Sequence, residues 1–356
     1  MTDLLALTAD LVNRPSVSFE EGPFVDWLEE ELSGLDHLET VRVGDNLVAR
    51  TELGHDQRLL LVGHTDTVPV NENATARIEG DRLWGLGSTD MKSGLAVFLE
   101  LARSVATPSV DLTYVFYARE EVAQQHNGLI EIIEHRPDLL EGDCAILGEP
   151  TSAGIEAGCQ GAMRIEIVLA GARAHTARPW MGRNAIHRLS GLLDQLSSYE
   201  ARTPTIDGCT YKESVQAVSV EGGVAGNVVP DRVALKVHHR FAPDRTSGEA
   251  EAFMRELTQS FLEEGDSFEV IDLSPACPPS LSHPLLQELI STNKLPVDAK
   301  LGWTDVARFA TLGIPAANFG PGDATIAHTR NEYVERDALN RVYASLLSLI
   351  KSPVDT

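Results

Sequence analysis

Five phrases in this chain each deliver a metal-ligand residue type just past an apolar run or at a helix start. They are LLLVGHTDTVP with His64 and Asp66, GSTDMKSG with Asp90, YAREEV with Glu120 and Glu121, ILGEPT with Glu149, and IAHTRNE with His328. Imidazoles and carboxylates in this mixture, with no thiol at the key points, are what a pair of borderline-hard divalent ions needs, and zinc or a close relative is the expected metal. The chemistry implied is hydrolysis assisted by two metal ions. Singly, each residue has an ordinary reading. Asp90 before an apolar helix is by default an N-cap, Glu120 and Glu121 a solvated turn, Glu149 before Pro150 a loop carboxylate, and His64 a satisfied polar group after a strand. Adjacent carboxylates at a strand end are less ordinary, because one can bind metal while the other stays free as a base. When every phrase falls at the same edge of one inferred sheet, coincidence is the weaker account.

That edge follows from the elements. LLLVG, TYVFYA and CAILG are short apolar runs bounded by Gly, Pro or charge, as strands buried on both faces are. Helical patterns lie between them, from Met91 to Val105 and from Asn127 to His135. The alternation predicts βαβ units, hence an α/β fold with a mixed, mostly parallel sheet flanked by helices. Ligands gather outside the carboxyl ends of such strands, where His64, Glu120, Glu121 and Glu149 fall. From about Ala162 the pattern changes to strands with period-2 alternation, clearest in Arg232 to Arg240, and to amphipathic helices over Arg183 to Tyr199 and in TSGEAEAFMRELTQSFLEE. This predicts an inserted α+β domain with helices on one face of an antiparallel sheet. The expected division is 1–161 and 275–356 for the catalytic domain, with 162–274 inserted, and a closing helix around Arg336 to Ile350. His187, beside Ile186, Leu189 and Leu193, is expected to pack in the core, and His238 and His239 to be structural.

In order along the chain, GHTDTVP, STDMKSG, AREEV, LGEPT and AHTRNEY resemble the signature set of the dinuclear zinc aminoacylase and carboxypeptidase family, from about Leu59 to Val334. The resemblance implies a zinc-peptidase-like catalytic domain with an inserted lid and dimerisation domain, and two divalent ions per subunit, Zn with Co or Mn as alternatives. It implies that Asp90 bridges the ions, that His64 and Glu149 complete one site, and that Glu121 and His328 complete the other. Glu120 is then the general base. Asp66 accepts the second ring N–H of His64, and Asp90–Met91 is the place for a non-proline cis peptide. Within GARAHTARP, His175 matches a His that reaches across a homodimer to the partner's oxyanion. Asn227 in GNVVP and Arg240 in HHRFAP match contacts to a substrate carboxylate, for which the guanidinium fork is suited. Without the resemblance these three read as a surface-loop His, a turn residue and a strand-end salt bridge.

The substrate implied is a small N-acyl amino acid. EAGCQGAMR, LGWTDVARF and GPGDATIAHTRNEYV look most like the branch that removes succinate from N-succinyl-LL-2,6-diaminopimelate, an enzyme activity of lysine and cell-wall precursor synthesis. Gln160 and Trp303 depart from that branch, where an Arg and a small hydroxyl residue are more usual. Deacetylation of acetylornithine, or a carboxypeptidase-like amide hydrolysis, is the alternative, and a silent metal-binding dimer the remote one.

Composition agrees. A chain of 356 residues has room for two domains. A net charge of −24 argues against nucleic acid or an anionic membrane as partner. The opening MTDLLALTADLVNRPSV lacks a basic leader and reads as an amphipathic helix ended by Pro15, and no run reaches transmembrane length. Four scattered cysteines without a C-x-x-C fit a reducing cytoplasm.

Overall fold

The LLLV run forms the middle of a sheet because nothing polar interrupts it. Leu59, Leu60, Leu61 and Val62 have no exposed surface, as a strand covered on both faces requires. The computed structural model describes residues 2–351. These form two compact units, one of residues 2–157, 280–298 and 308–351, the other of Gly158–Pro279 and Ala299–Ala307.

The first unit is built on an eight-stranded mixed sheet in the order Glu39–Val43, Asn46–Arg50, Asp111–Tyr117, Arg58–His64, Cys144–Leu147, Ala316–Asn318, Ile155–Ala157, Val297–Ala299. Its centre is parallel. Arg58–His64 pairs in parallel with both Asp111–Tyr117 and Cys144–Leu147, and Ala316–Asn318 continues the parallel run. Antiparallel pairings lie to either side, including the hairpin Glu39–Val43 with Asn46–Arg50. The helix Lys92–Ser104 is buried from Lys92 to Ala102 and packs against the helices Leu4–Val12 and Arg336–Lys351. Gly94 allows it to approach the strand end. A Cβ there would stand 2.4 Å from the carbonyl oxygen of Gly148. Asn127 starts the helix Gly128–His135 by accepting the N–H of Leu129.

The second unit holds a four-stranded antiparallel sheet in the order Ser214–Gly222, Arg232–Phe241, Gly161–Ala170, Ser267–Ser274. Alternation puts Met163, Ile165, Ile167 and Leu169 with Val233, Leu235 and Val237 in one core, joined by Leu189, Leu192 and Leu196 of the helix Ala185–Ser197 and by Ala250 and Met254 of Ser247–Thr258. Both helices are shorter than their sequence patterns. Asn184 caps the first by accepting from Ile186 and His187 N–H, and the second passes into a 3-10 turn at Gln259–Phe261. The buried stripe of the first helix is Ala185, Leu189, Leu192 and Leu196, which leaves His187 exposed. The expectation of a core His there is corrected: the stripe runs one position off the one assumed. His239 is buried and stacks near Phe241 and Phe253.

All four cysteines are buried. Among the described residues no helix is long and apolar enough to cross a membrane.

Candidate active site

Parallel register brings the acidic and imidazole groups of the first unit to one sheet edge. His64 ends its strand opposite Tyr117, and Val62 lies opposite Leu147. The N–H of Gly148 still donates to Val62, so Glu149 emerges beside His64, while Glu120 and Glu121 follow Tyr117 by three and four residues. The turn after Tyr117 is made by Arg119 in the left-handed region, at φ +62°. Its N–H donates to Glu21 Oε1 at 3.1 Å and its guanidinium to Glu131 at 2.6 Å.

Asp66 fixes that turn from the neighbouring strand. Its carboxylate accepts the N–H groups of Glu120 at 2.9 Å and Glu121 at 3.1 Å, and the hydroxyl of Ser18 at 2.7 Å. The same carboxylate faces the His64 ring, as expected. His64 Nδ1 lies 3.0 Å from the main-chain oxygen of Asp66 and 3.5 Å from its carboxylate. The carbonyl can only accept, so Nδ1 carries the hydrogen. Carbonyl and carboxylate of Asp66 thus both lie on the Nδ1 side of the ring.

Asp90 is not the N-cap of the helix it precedes. Met91 holds that position with no side-chain capping bond, and the Asp90–Met91 peptide is cis. The Asp90 carboxylate turns to the imidazoles, with Oδ1 3.0 Å from His64 Nε2 and Oδ2 3.5 Å from His328 Nε2. His328 Nε2 is 2.9 Å from Glu121 Oε1. Ligand atoms of His64, Asp90 and Glu121 all lie within 4.8 Å of one another. Glu149, 6 % exposed, stands at the same edge outside that tightest trio.

The electrostatics show what this group is built to hold. Burial would make His64 harder to protonate, yet Asp66 and Asp90 hold its pKa well above the usual imidazole range. Asp90 and Glu121 push His328 up to about 10. Burial acts to raise Asp90, but His328 and His64 hold it far below the ordinary carboxylate value, whereas burial raises Glu121. A neutral His64 with Nδ1 committed to a carbonyl presents a lone pair at Asp90, acceptor against acceptor. Positive charge between them resolves the conflict. Mixed nitrogen and oxygen donors with no thiol suit a borderline divalent ion, so the residues present fit a metal.

The other sequence candidates belong to the second unit. His175 is exposed, and its Nδ1 accepts the N–H of Ala177 at 3.0 Å. The N–H of Thr176 donates to Asn227 O at 3.1 Å, bringing those two segments together. Arg240 lies near the end of its strand, opposite Ser214 and Ala162. Its Nη1 is buried without an acceptor among the described residues, and burial lowers its pKa. Gln160 is fully buried, its Oε1 accepting the N–H of Lys212, and Trp303 donates to Pro275 O at 3.1 Å.

Two residues escaped the sequence reading. Lys92 is buried, with Nζ donating to Leu11 O at 3.1 Å and Arg14 O at 2.6 Å over the ring of Phe24; burial lowers its pKa to about 7. Glu332 is 1 % exposed, and burial raises its carboxyl to about 7. The only signal was a charged residue inside each of two phrases already read for another residue.

Comparison with known proteins places the chain. The profile described as peptidase family M20/M25/M40 matches residues 60–352. The chain belongs to that family. Among M20 relatives, a Mycobacterium tuberculosis protein named provisionally as the succinyl-diaminopimelate desuccinylase DapE is 47 % identical over 333 residues, covering 93 % of each chain. The succinyl-diaminopimelate desuccinylase of Corynebacterium glutamicum is 41 % identical over 350 residues, covering 97 % of this chain and 95 % of its own. The crystal structure of a Staphylococcus aureus tripeptidase matches with a TM-score of 0.79 at 22 % identity, over 98 % of this chain and 97 % of that one. That likeness establishes the M20 fold: a mixed α/β architecture without a closed barrel.

Proposed function

We propose that this M20 protein hydrolyses N-succinyl-LL-2,6-diaminopimelate to succinate and LL-2,6-diaminopimelate, using two divalent metal ions per subunit. The observation that carries the reading is identity of 41–47 % with proteins bearing the desuccinylase name, over 93 % or more of this chain. Asp90 would be shared by the two ions, His64 and Glu149 would help hold one, and Glu121 and His328 would help hold the other. Zn²⁺ is the expected metal, with Co²⁺ and Mn²⁺ sharing these donors. Such ions supply Lewis acidity that lowers the pKa of water and polarises an amide carbonyl.

The chain's own groups do the rest. Glu120 takes the proton from the attacking water and returns it to the leaving amine, as general base and then acid. Asp66 supports this by holding the N–H of Glu120, so that the base stands on a fixed turn. Arg240, with a buried donor lacking an acceptor, is the proposed contact for a substrate carboxylate, and Asn227 and His175 are assigned to substrate and oxyanion by resemblance.

A homodimer is proposed through the strand Ser214–Gly222. It is an edge strand nine residues long, with Val218 and Val220 more than half exposed, and such an edge is a template for pairing with another copy. The proposed location is the cytoplasm.

The deciding assay measures kcat/KM of the zinc-loaded protein on N-succinyl-LL-diaminopimelate and on N-acetylornithine. A clear preference for the succinyl substrate is expected. Preference for acetylornithine would reassign the substrate and leave the hydrolytic chemistry in place.

A further inference from the structure

Asp90 has no helix cap to hold it, so something else must aim its two oxygens at two different imidazoles. The segment before it is held from the far end of the chain. Glu332 Oε1 accepts the N–H of Thr89 at 2.8 Å and the N–H of Asp90 itself at 3.0 Å, across more than 240 residues of sequence. The hydroxyl of Thr89 donates to Tyr333 O at 2.6 Å, and Gly85 N–H donates to Glu332 O at 3.2 Å. The fit leaves no slack. A Cβ on Gly322 would lie 2.3 Å from Thr89 O.

We propose that Glu332 is a positioning residue for the metal centre, acting through the main chain of Asp90. This rests on the reading of Asp90 as the shared metal donor. Glu332 is nearly devoid of solvent contact, so no water replaces its oxygen as the acceptor for these two main-chain N–H groups. With both N–H groups tied to one oxygen, the peptide plane at Asp90 cannot swing. Oδ1 and Oδ2 therefore stay directed at His64 and His328. A second carboxylate so near Asp90 also works against the stability of the empty protein, which is the arrangement expected where geometry toward a cation, and not folding, dictates the residue.

The role predicts a particular ranking of variants. Glu332→Gln keeps an oxygen where Oε1 sits, whereas Glu332→Asp keeps the charge but withdraws it by one methylene. Titrating the metal-free dimer or monomer, as purified, with Co²⁺ and recording both calorimetric affinity and the visible spectrum separates the two. Losing a group that orients a ligand lowers metal affinity by about 10–100-fold. That loss and an altered Co²⁺ spectrum are expected for Glu332→Asp, with Glu332→Gln retaining most of the affinity and the parent spectrum. Glu335→Ala, which cuts the exposed pair with Arg82 on the same chain segment, should leave both readouts unchanged. If Glu332→Asp binds as the parent does while Glu332→Gln fails, the residue serves as charge and the positioning role is overturned. Parent-like binding by both variants overturns it as well. If the parent protein itself takes up no Co²⁺, the metal reading falls and carries this inference with it.

Discussion

Two clusters of buried carboxylates, one in each unit, are balanced in opposite ways. In the second, a buried carboxylate has its cation. Asp266, with no exposed side-chain surface, accepts two bonds from Arg188 at 2.6 and 2.7 Å, and Glu213, equally buried, is shared by Arg202 and Arg245. In the first, Asp66, Asp90, Glu121 and Glu149 crowd one sheet edge with two imidazoles for company. Paired burial fixes a fold. Clustered carboxylates leave a place where something positive could bind, and the contrast supports the proposed site without reference to any relative.

That contrast can be broken most forcefully at its centre. Asp90→Asn should abolish metal uptake and turnover, and the thermal midpoint of the chelated protein should fall modestly, because the charge that faces His64 and His328 is lost. Metal uptake equal to the parent's would reject Asp90 as a donor. Glu120→Ala should reduce kcat by about 10²–10⁴-fold, the usual worth of a general acid–base group, with metal content by elemental analysis intact. Activity within a few-fold of the parent would reject Glu120 as base.

In the second unit the expected effects are on stability. Asp266→Asn strands Arg188, 9 % exposed, and should destabilise by about 3 kcal/mol in urea unfolding, as removal of one partner of a buried pair does. Arg188 and two main-chain N–H groups outweigh burial and lower the Asp266 pKa to about 2 from 3.8. Its contribution is therefore complete above about pH 4 and lost as pH falls toward 2. The urea midpoint of the parent should drop more steeply over that window than that of the variant. The smallest effect is expected at the helix Ser247–Thr258. Thr246 and Glu249 form a reciprocal capping box there, and Thr246→Ala should cost about 1 kcal/mol with kcat unchanged.

Much of this was readable from local patterns. Continuous apolar runs announced the central strands, and alternation announced the antiparallel sheet, because each pattern reports which faces are covered. The edge where His64, Glu120, Glu121 and Glu149 emerge followed from the parallel order alone. What escaped depended on contacts with no local trace. Asp90 read equally well as a cap until its neighbours in space were known. His187 shared a sequence window with apolar residues but stands off their stripe by its angle on the helix. The bond from Asp90 to Glu332 spans most of the chain, and no spacing rule reaches that far. The accepting carbonyl of Asp66 is a main-chain atom, which residue identity does not reveal.

The order of strands carries a further consequence for how the protein is made. Ala316–Asn318 sits inside the large sheet, between Cys144–Leu147 and Ile155–Ala157, yet it emerges from the ribosome after all four strands of the second unit's sheet. His328 and Glu332 come later still. The second unit's four strands are complete by Ser274 and can close their own core while the first sheet still has a gap. A nascent chain therefore carries a finished insert and an unfinished scaffold. The proposed donor set is complete only once His328 has been added, so chains truncated before that residue lack one of its members.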